Sequence, residues 1–253
     1  MGQAQARARH QQKVEELCAA TIRALAGEAD LHFRGQRLHR GARALPRFAP
    51  HLHPALDDDD FASFRGAADG LALRLARSDA ELHARLRPAD PVERLLFDLL
   101  EQIRVEALAP TDMPGLRRNL RHRFEQWSQA YDRSGLNEST RGLLLYTAAQ
   151  VCRSRVSGEP VVEATEDLIE GTRGMLVAHI SHDLAGLRRE RLDQTAYAPH
   201  ALAIGRNVAA LMHERDDERG ADEQDKDADD SRRSLFSLLL DLAVGHALQH
   251  RVR

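Results

Sequence analysis

The chain has 253 residues, 42% hydrophobic and 30% charged, enough to bury a core without disulfide or metal staples, and the expected class is a globular protein. Aromatics make up only 4%, so Leu, Ala and Val must build the core, and the wealth of Ala, Leu, Arg and Glu favours helix over strand. The net charge of −3 is unevenly spread: residues 214–230 hold ten acids against three bases, and the mild positive excess elsewhere is far from a nucleic-acid footprint.

Residues 11–26 predict a helix with Val14, Leu17, Cys18, Ile22 and Leu25 on one stripe and Gly27 as its C-cap. Residues 28–56 lose that period and gain Gly35, Gly41, Pro46, Pro50 and Pro54. They predict a loop with a short hairpin around LHFRGQRLH, near residues 30–42. Asp57 to Asp60 then open a helix, where acids suit the positive end, and Phe61, Phe64, Ala68, Leu71 and Leu75 continue its stripe. Ser78 caps or kinks it, ELHARLR follows, and Pro88 and Pro91 end that element.

PVERLLFDLLEQIRVEAL is the clearest helix of the chain, with Val92, Leu95, Leu96, Leu99, Ile103 and Leu108 on one side and Pro91 in the first turn. Residues 113–131 give another, with Leu116, Leu120, Phe124 and Trp127 inward. SGLNEST is a turn and RGLLLYTAAQVCRSRV a buried helix. Residues 161–193 predict one helix, long or broken around Gly171 and Gly174, and residues 199–213 the last of the main body. The organisation expected is a helical domain over 1–213, a solvated acidic linker over 214–231 and an amphipathic helix over 232–253. With no internal repeat and no βαβ alternation, the fold class is all-α, an irregular multi-helix domain.

Cys18 and Cys152 are too far apart for a disulfide framework or a zinc spacing, and both fall in helical patterns as buried thiols. The first residues have no apolar signal core, and no stretch approaches the ~20 apolar residues that span a bilayer. The expected location is cytoplasmic, with neither membrane nor nucleic acid as partner.

Several chemical signatures are missing from the sequence: no GxxxxGK[ST], no HExxH, no GxSxG and no Asp-x-Ser-x-Ser run. Two metal signals are weaker. His179, His182 and Asp183 lie in AHISHDLAG, with His179 and Asp183 at i,i+4. They resemble the His-Asp pairs of HD-type metal-dependent phosphohydrolases, which His122 and Asp193 would have to complete; a solvated helix face is the competing reading. The loop histidines His32, His39, His51 and His53 offer imidazole donors for Co, Ni or Zn. On the clearest helix, Asp98, Glu101 and Glu106 flank Arg104, a set that suits helix-surface charge, or an Arg–carboxylate clamp between helices, better than acid–base work. In residues 64–87, Arg65, Asp69, Arg74, Asp79 and His83 are threaded among Leu71, Leu75, Leu82 and Leu86. That pattern fits a docking surface and a buried salt-bridge lattice equally well.

Three runs in series, RGAADGLALRLARSDAELHARLRP, FDLLEQIRVEAL and MPGLRRNL, resemble the N-terminal region of the CobT subunit family of aerobic cobaltochelatase. The likeness is strongest over residues 65–120 and looser over about 12–213, including CAATIRALAGE. It implies a subunit that pairs with an AAA+ ATPase in a ring-like motor serving a large chelating subunit, which inserts cobalt into a corrin ring in cobalamin biosynthesis. ATP, Mg²⁺ and Co²⁺ belong to that complex, and no directly bound cofactor is expected here. The family continues through an acidic linker into a von Willebrand A-like domain with a metal-dependent adhesion site. The short stretch after the acidic run has no room for one, so the chain reads as a truncated piece, a degenerate gene product or a stand-alone version of the N-terminal domain. The family often has His where Ser78 stands, which weakens a metal argument on SDAELH.

The expectation is therefore a non-catalytic scaffold, with Arg65, Asp69, Arg74, Asp79, His83, Glu101, Arg104 and Glu106 as partner-binding residues and homo-oligomerisation left open. The alternatives are an HD-like phosphohydrolase using His179, His182 and Asp183, and a divalent-metal-handling protein using the loop histidines.

Overall fold

The computed structural model describes residues 2–34, 37–55 and 59–220. Helix α1 (Gly2–Ala26) begins earlier than its apolar stripe and stops at Gly27, whose φ of 72° lets its N–H reach the Arg23 carbonyl at 3.0 Å. Val14, Cys18 and Ile22 are buried, but Leu17 is 46% exposed. It lies about 100° round the helix from Cys18 and so leaves the stripe that the sequence assigned it to.

The hairpin forms and gains a third strand. β1 (Leu31–Arg34), β2 (Arg37–Arg40) and β3 (Arg43–Ala44) make an antiparallel sheet in that order. Phe33 pairs with Leu38 and Leu31 with Arg40, so the two leucines turn into the core and β1 lies on α1.

Seven further α-helices follow among the described residues: α2 (Phe61–Arg77), α3 (Ala80–Leu86), α4 (Pro91–Ala107), α5 (Pro114–Arg133), α6 (Thr140–Ser157), α7 (Glu166–Arg189) and α8 (Gln194–Gly220). Their starts are chemically marked. Asp60, Asp79, Asp90 and Ser139 each accept hydrogen bonds from first-turn N–H groups of α2, α3, α4 and α6. The fold is all-α apart from the small sheet. α4 is its centre: every residue from Leu96 to Val105 is buried, and the helix packs on α2, α6 and α8. α2 also packs on α1 and α5, while α6, α7 and α8 pack on one another.

One open alternative is decided and two expectations are corrected. Of a long or a broken helix, α7 is the long one, unbroken through Gly171 and Gly174. A helical glycine costs ~1 kcal/mol against alanine, but both positions are exposed, and the burial of Ile169, Leu176, Ile180, Leu184 and Leu187 on the opposite face outweighs that cost. α8 starts at Gln194 rather than 199, because Asp193 Oδ1 accepts from Thr195 N at 2.8 Å and Ala196 N at 3.2 Å, and Pro199 is carried inside the helix. Phe61 is 50% exposed rather than inward.

α8 continues to Gly220, into the acidic run. The rest of that run, the helix expected over 232–253, and Asp57 and Asp58 lie outside the described residues. Among the described residues, no helix is long and apolar enough to cross a membrane.

Candidate functional site

The charged residues of α2, α3 and α4 meet in one buried lattice. Arg104 is its hub. Its Nε donates to Glu101 Oε2 and its Nη2 to Glu101 Oε1, both at 2.8 Å, a bidentate pair one turn apart on α4. Nη2 also reaches the Arg77 carbonyl at 2.9 Å, and Nη1 the Arg191 carbonyl at 3.4 Å. One guanidinium thus joins the centre of the fold to the end of α2 and to the α7–α8 connection. Ser78 Oγ adds a 2.5 Å bond to Glu101 Oε1.

Gln194 clamps the α2–α3 turn from the far end of the sequence. Its Oε1 accepts from Asp79 N at 2.6 Å and its Nε2 donates to the Asp79 carbonyl at 3.1 Å. Asp79 itself caps α3.

Asp98, on α4, takes His83 Nε2 on Oδ1 at 2.7 Å and Arg87 Nη2 on Oδ2 at 2.6 Å. Burial pushes its carboxyl up, but the two hydrogen bonds and the charges behind them win and hold it below the ordinary value. The His83 ring stacks on Phe97, with centroids 4.4 Å apart and planes 5° from parallel. Arg74 is buried; its Nη1 donates to the Asp98 carbonyl at 3.3 Å and its guanidinium lies 5.2 Å from the Phe48 ring centre. Burial lowers its pKa to about 10, against the opposing pull of Glu101 and Asp98, so it stays charged at neutral pH.

Two flanking groups extend the lattice. Asp69 accepts from Arg65 Nε at 3.2 Å and from Asn119 Nδ2 at 2.9 Å, and burial raises its pKa despite both bonds. Glu106 Oε1 accepts from His51 Nε2 at 2.8 Å and from Gln102 Nε2 at 2.9 Å. α2 comes so close to α5 that a Cβ on Gly66 would lie 2.2 Å from the Asn119 carbonyl oxygen.

Of the residues singled out as partner-binding, Asp69, Arg74, His83, Glu101 and Arg104 are therefore buried, with intrachain partners, in the geometry of a salt-bridge lattice. Glu106 is partly buried. Arg65, with 42% of its side chain exposed, and Asp79 reach the surface. Sequence reasoning missed Gln194, Asn119 and Arg87 as lattice members. Arg87 followed from no periodicity, and the other two join α2–α3 across long stretches of chain.

The loop histidines do not converge. His32 and His39 pair across β1 and β2 with ring centroids 5.7 Å apart, while His51 is buried against Glu106. Burial, with Arg47, His51 and Arg123 nearby, pulls His53 from 6.5 down to about 3.

The residues proposed as HD-like ligands part company too. His179 Nδ1 lies 2.9 Å from the Met175 carbonyl of its own helix, His122 binds Asp60 and Asp193 caps α8. His182 and Asp183 instead meet His200 from α8, and this trio is the metal-compatible cluster among the described residues. His200 carried no sequence signal, since it sits just after Pro199 where a helix start was expected.

A protein-family model described as "Cobalamin biosynthesis protein CobT" matches residues 9–235. The match spans the whole lattice. No solved structure matches the chain.

Proposed function

The chain belongs to the CobT family, which places it with cobaltochelatase in cobalamin biosynthesis, and from that premise we propose that it is a non-catalytic scaffold docking an AAA+ ATPase subunit. The family match over residues 9–235 carries this reading. The lattice supports it chemically. Its acids and guanidinium groups are held by one another and by backbone carbonyls, an arrangement that fixes α2, α3, α4 and the start of α8 against each other. Such a rigid unit suits transmission of partner motion better than acid–base turnover.

In this reading Asp69, Arg74, His83, Glu101, Arg104 and Glu106 act through the shape they give α2–α4. Arg65 and Asp79 meet the partner, together with the exposed Phe61, Arg77, Glu81 and Arg85. Phe61, half-exposed, stands one helical turn from Arg65, and aromatic and Arg side chains are the types that anchor protein interfaces. ATP and Mg²⁺ belong to the AAA+ partner, and Co²⁺ is the cargo delivered to the corrin by the large chelating subunit.

The test is affinity capture of the AAA+ subunit from the same source, with and without ATP. Nucleotide-dependent capture by the native chain, weakened by Arg65→Glu with the helical content intact, is the expected result. Absence of capture in both conditions contradicts the docking role.

A further inference from the structure

We infer that His182, Asp183 and His200 form a site for one divalent first-row transition cation, of the Zn²⁺ or Co²⁺ type, bridging α7 and α8. The inference stands on these three side chains and does not rest on the docking proposal. Both histidines address one carboxylate oxygen. His200 Nδ1 lies 2.9 Å from Asp183 Oδ1, and His182 Nδ1 lies 3.5 Å from the same atom. One ligand atom from each residue falls within 4.8 Å of the other two.

Donors held tetrahedrally at zinc distances sit ~3.3 Å apart, so the two measured edges already bracket the required one. Closing the third edge asks only for a turn of His182, whose side chain is 88% exposed and free to rotate about its χ angles.

The other half of the site is fixed by packing. The His200 ring lies flat on α7 at Gly186, where a Cβ would stand 2.4 Å from its Cε1 and Nε2 atoms. A side chain there would expel the ring, so glycine at this point of α7 is what lets α8 aim its imidazole at Asp183. Two imidazoles and a carboxylate are a nitrogen–oxygen donor set suited to Zn, Co or Ni, and distinct from the oxygen cage that Ca²⁺ or Mg²⁺ requires. The exposed side of His182 leaves the fourth position to water or to an exchanging ligand.

The experiment is calorimetric titration of the full chain, stripped with chelator, with Zn²⁺ and with Co²⁺. We expect one saturable equivalent, abolished or weakened at least about tenfold in His182→Ala and Asp183→Asn. Binding should be retained in His179→Ala and in the His32→Ala/His39→Ala pair. Bound metal should also raise the unfolding temperature of the native chain and leave that of His182→Ala unmoved, since a ligand of the folded state stabilises by mass action. Because His182 is on the surface, its alanine variant keeps the fold. No saturable site in the native chain, or a site that survives His182→Ala, overturns the assignment.

Discussion

Two clusters of charged and ionisable side chains sit at opposite ends of the burial scale in this molecule. In the α2–α4 lattice, Arg104 and Glu101 are each 2% exposed, and the guanidinium spends its donors on Glu101 and on the carbonyls of Arg77 and Arg191. In the α7–α8 cluster, a single carboxylate oxygen serves two imidazoles, and one of those rings stands in solvent. At the hub of the first, the Arg104–Glu101 pair has its bonding capacity consumed and defines shape. The second has capacity left over and can take a ligand. Residue type alone does not separate them, since both contain His and Asp; burial and the number of partners do.

The largest expected effect comes from breaking the lattice at its hub. Arg104→Ala or Glu101→Ala leaves an uncompensated buried charge and should lose ~3–5 kcal/mol in denaturant unfolding. Replacing both residues with apolar side chains of similar volume should cost far less, since neither charge is then orphaned. If the single and double replacements cost the same, the pair is not acting as a coupled unit.

Gly66→Ala sharpens the same comparison without touching a charge. Its Cβ would enter the backbone of α5 at Asn119, and overpacking of this kind costs ~1–3 kcal/mol. Gly171→Ala, at an open position on α7, should by contrast leave the protein as stable or more so.

A pH dependence comes next. The folded state holds His53 near 3, while the unfolded chain titrates it at 6.5, so folding favours the neutral ring. Its contribution is complete above 6.5 and is lost as the pH falls toward 3. Stability measured across that window should decline less steeply in His53→Gln than in the native chain. Asp98 has the same sign over a lower range: its depressed carboxyl contributes above the ordinary carboxylate value and fades as acid protonates it. The smallest effect is that of His182→Ala without metal, within about 0.5 kcal/mol of the native chain, as suits an exposed side chain.

The sequence made α4 plain, because its apolar residues recur at helical spacing and Pro91 marks the first turn. It grouped Arg104 with Glu101, but as surface charge or as a clamp between helices, whereas the two are buried and pair within α4 at i,i+3. The rest of the lattice was hidden. Gln194 reaches Asp79 across the whole middle of the chain, and no local rule brings two such residues together. The α8 start was hidden for a different reason. Pro199 signals a boundary, but the cap at Asp193 took the boundary instead, and His200 was thereby placed beside Asp183. His179, the residue with the better sequence spacing, was left bonded to its own helix. Spacing along one helix says which residues share a face; only the packing of a second helix says which of them acquire a third ligand.

The measurement that tests the account most directly is hydrogen–deuterium exchange of the chain with and without the AAA+ subunit and ATP. New protection is expected in α2 and α3, around Phe61, Arg65 and Asp79, with the already buried amides of α4 and the α7–α8 face unchanged. Protection confined to α7–α8, or none anywhere under conditions of saturating partner, would contradict it.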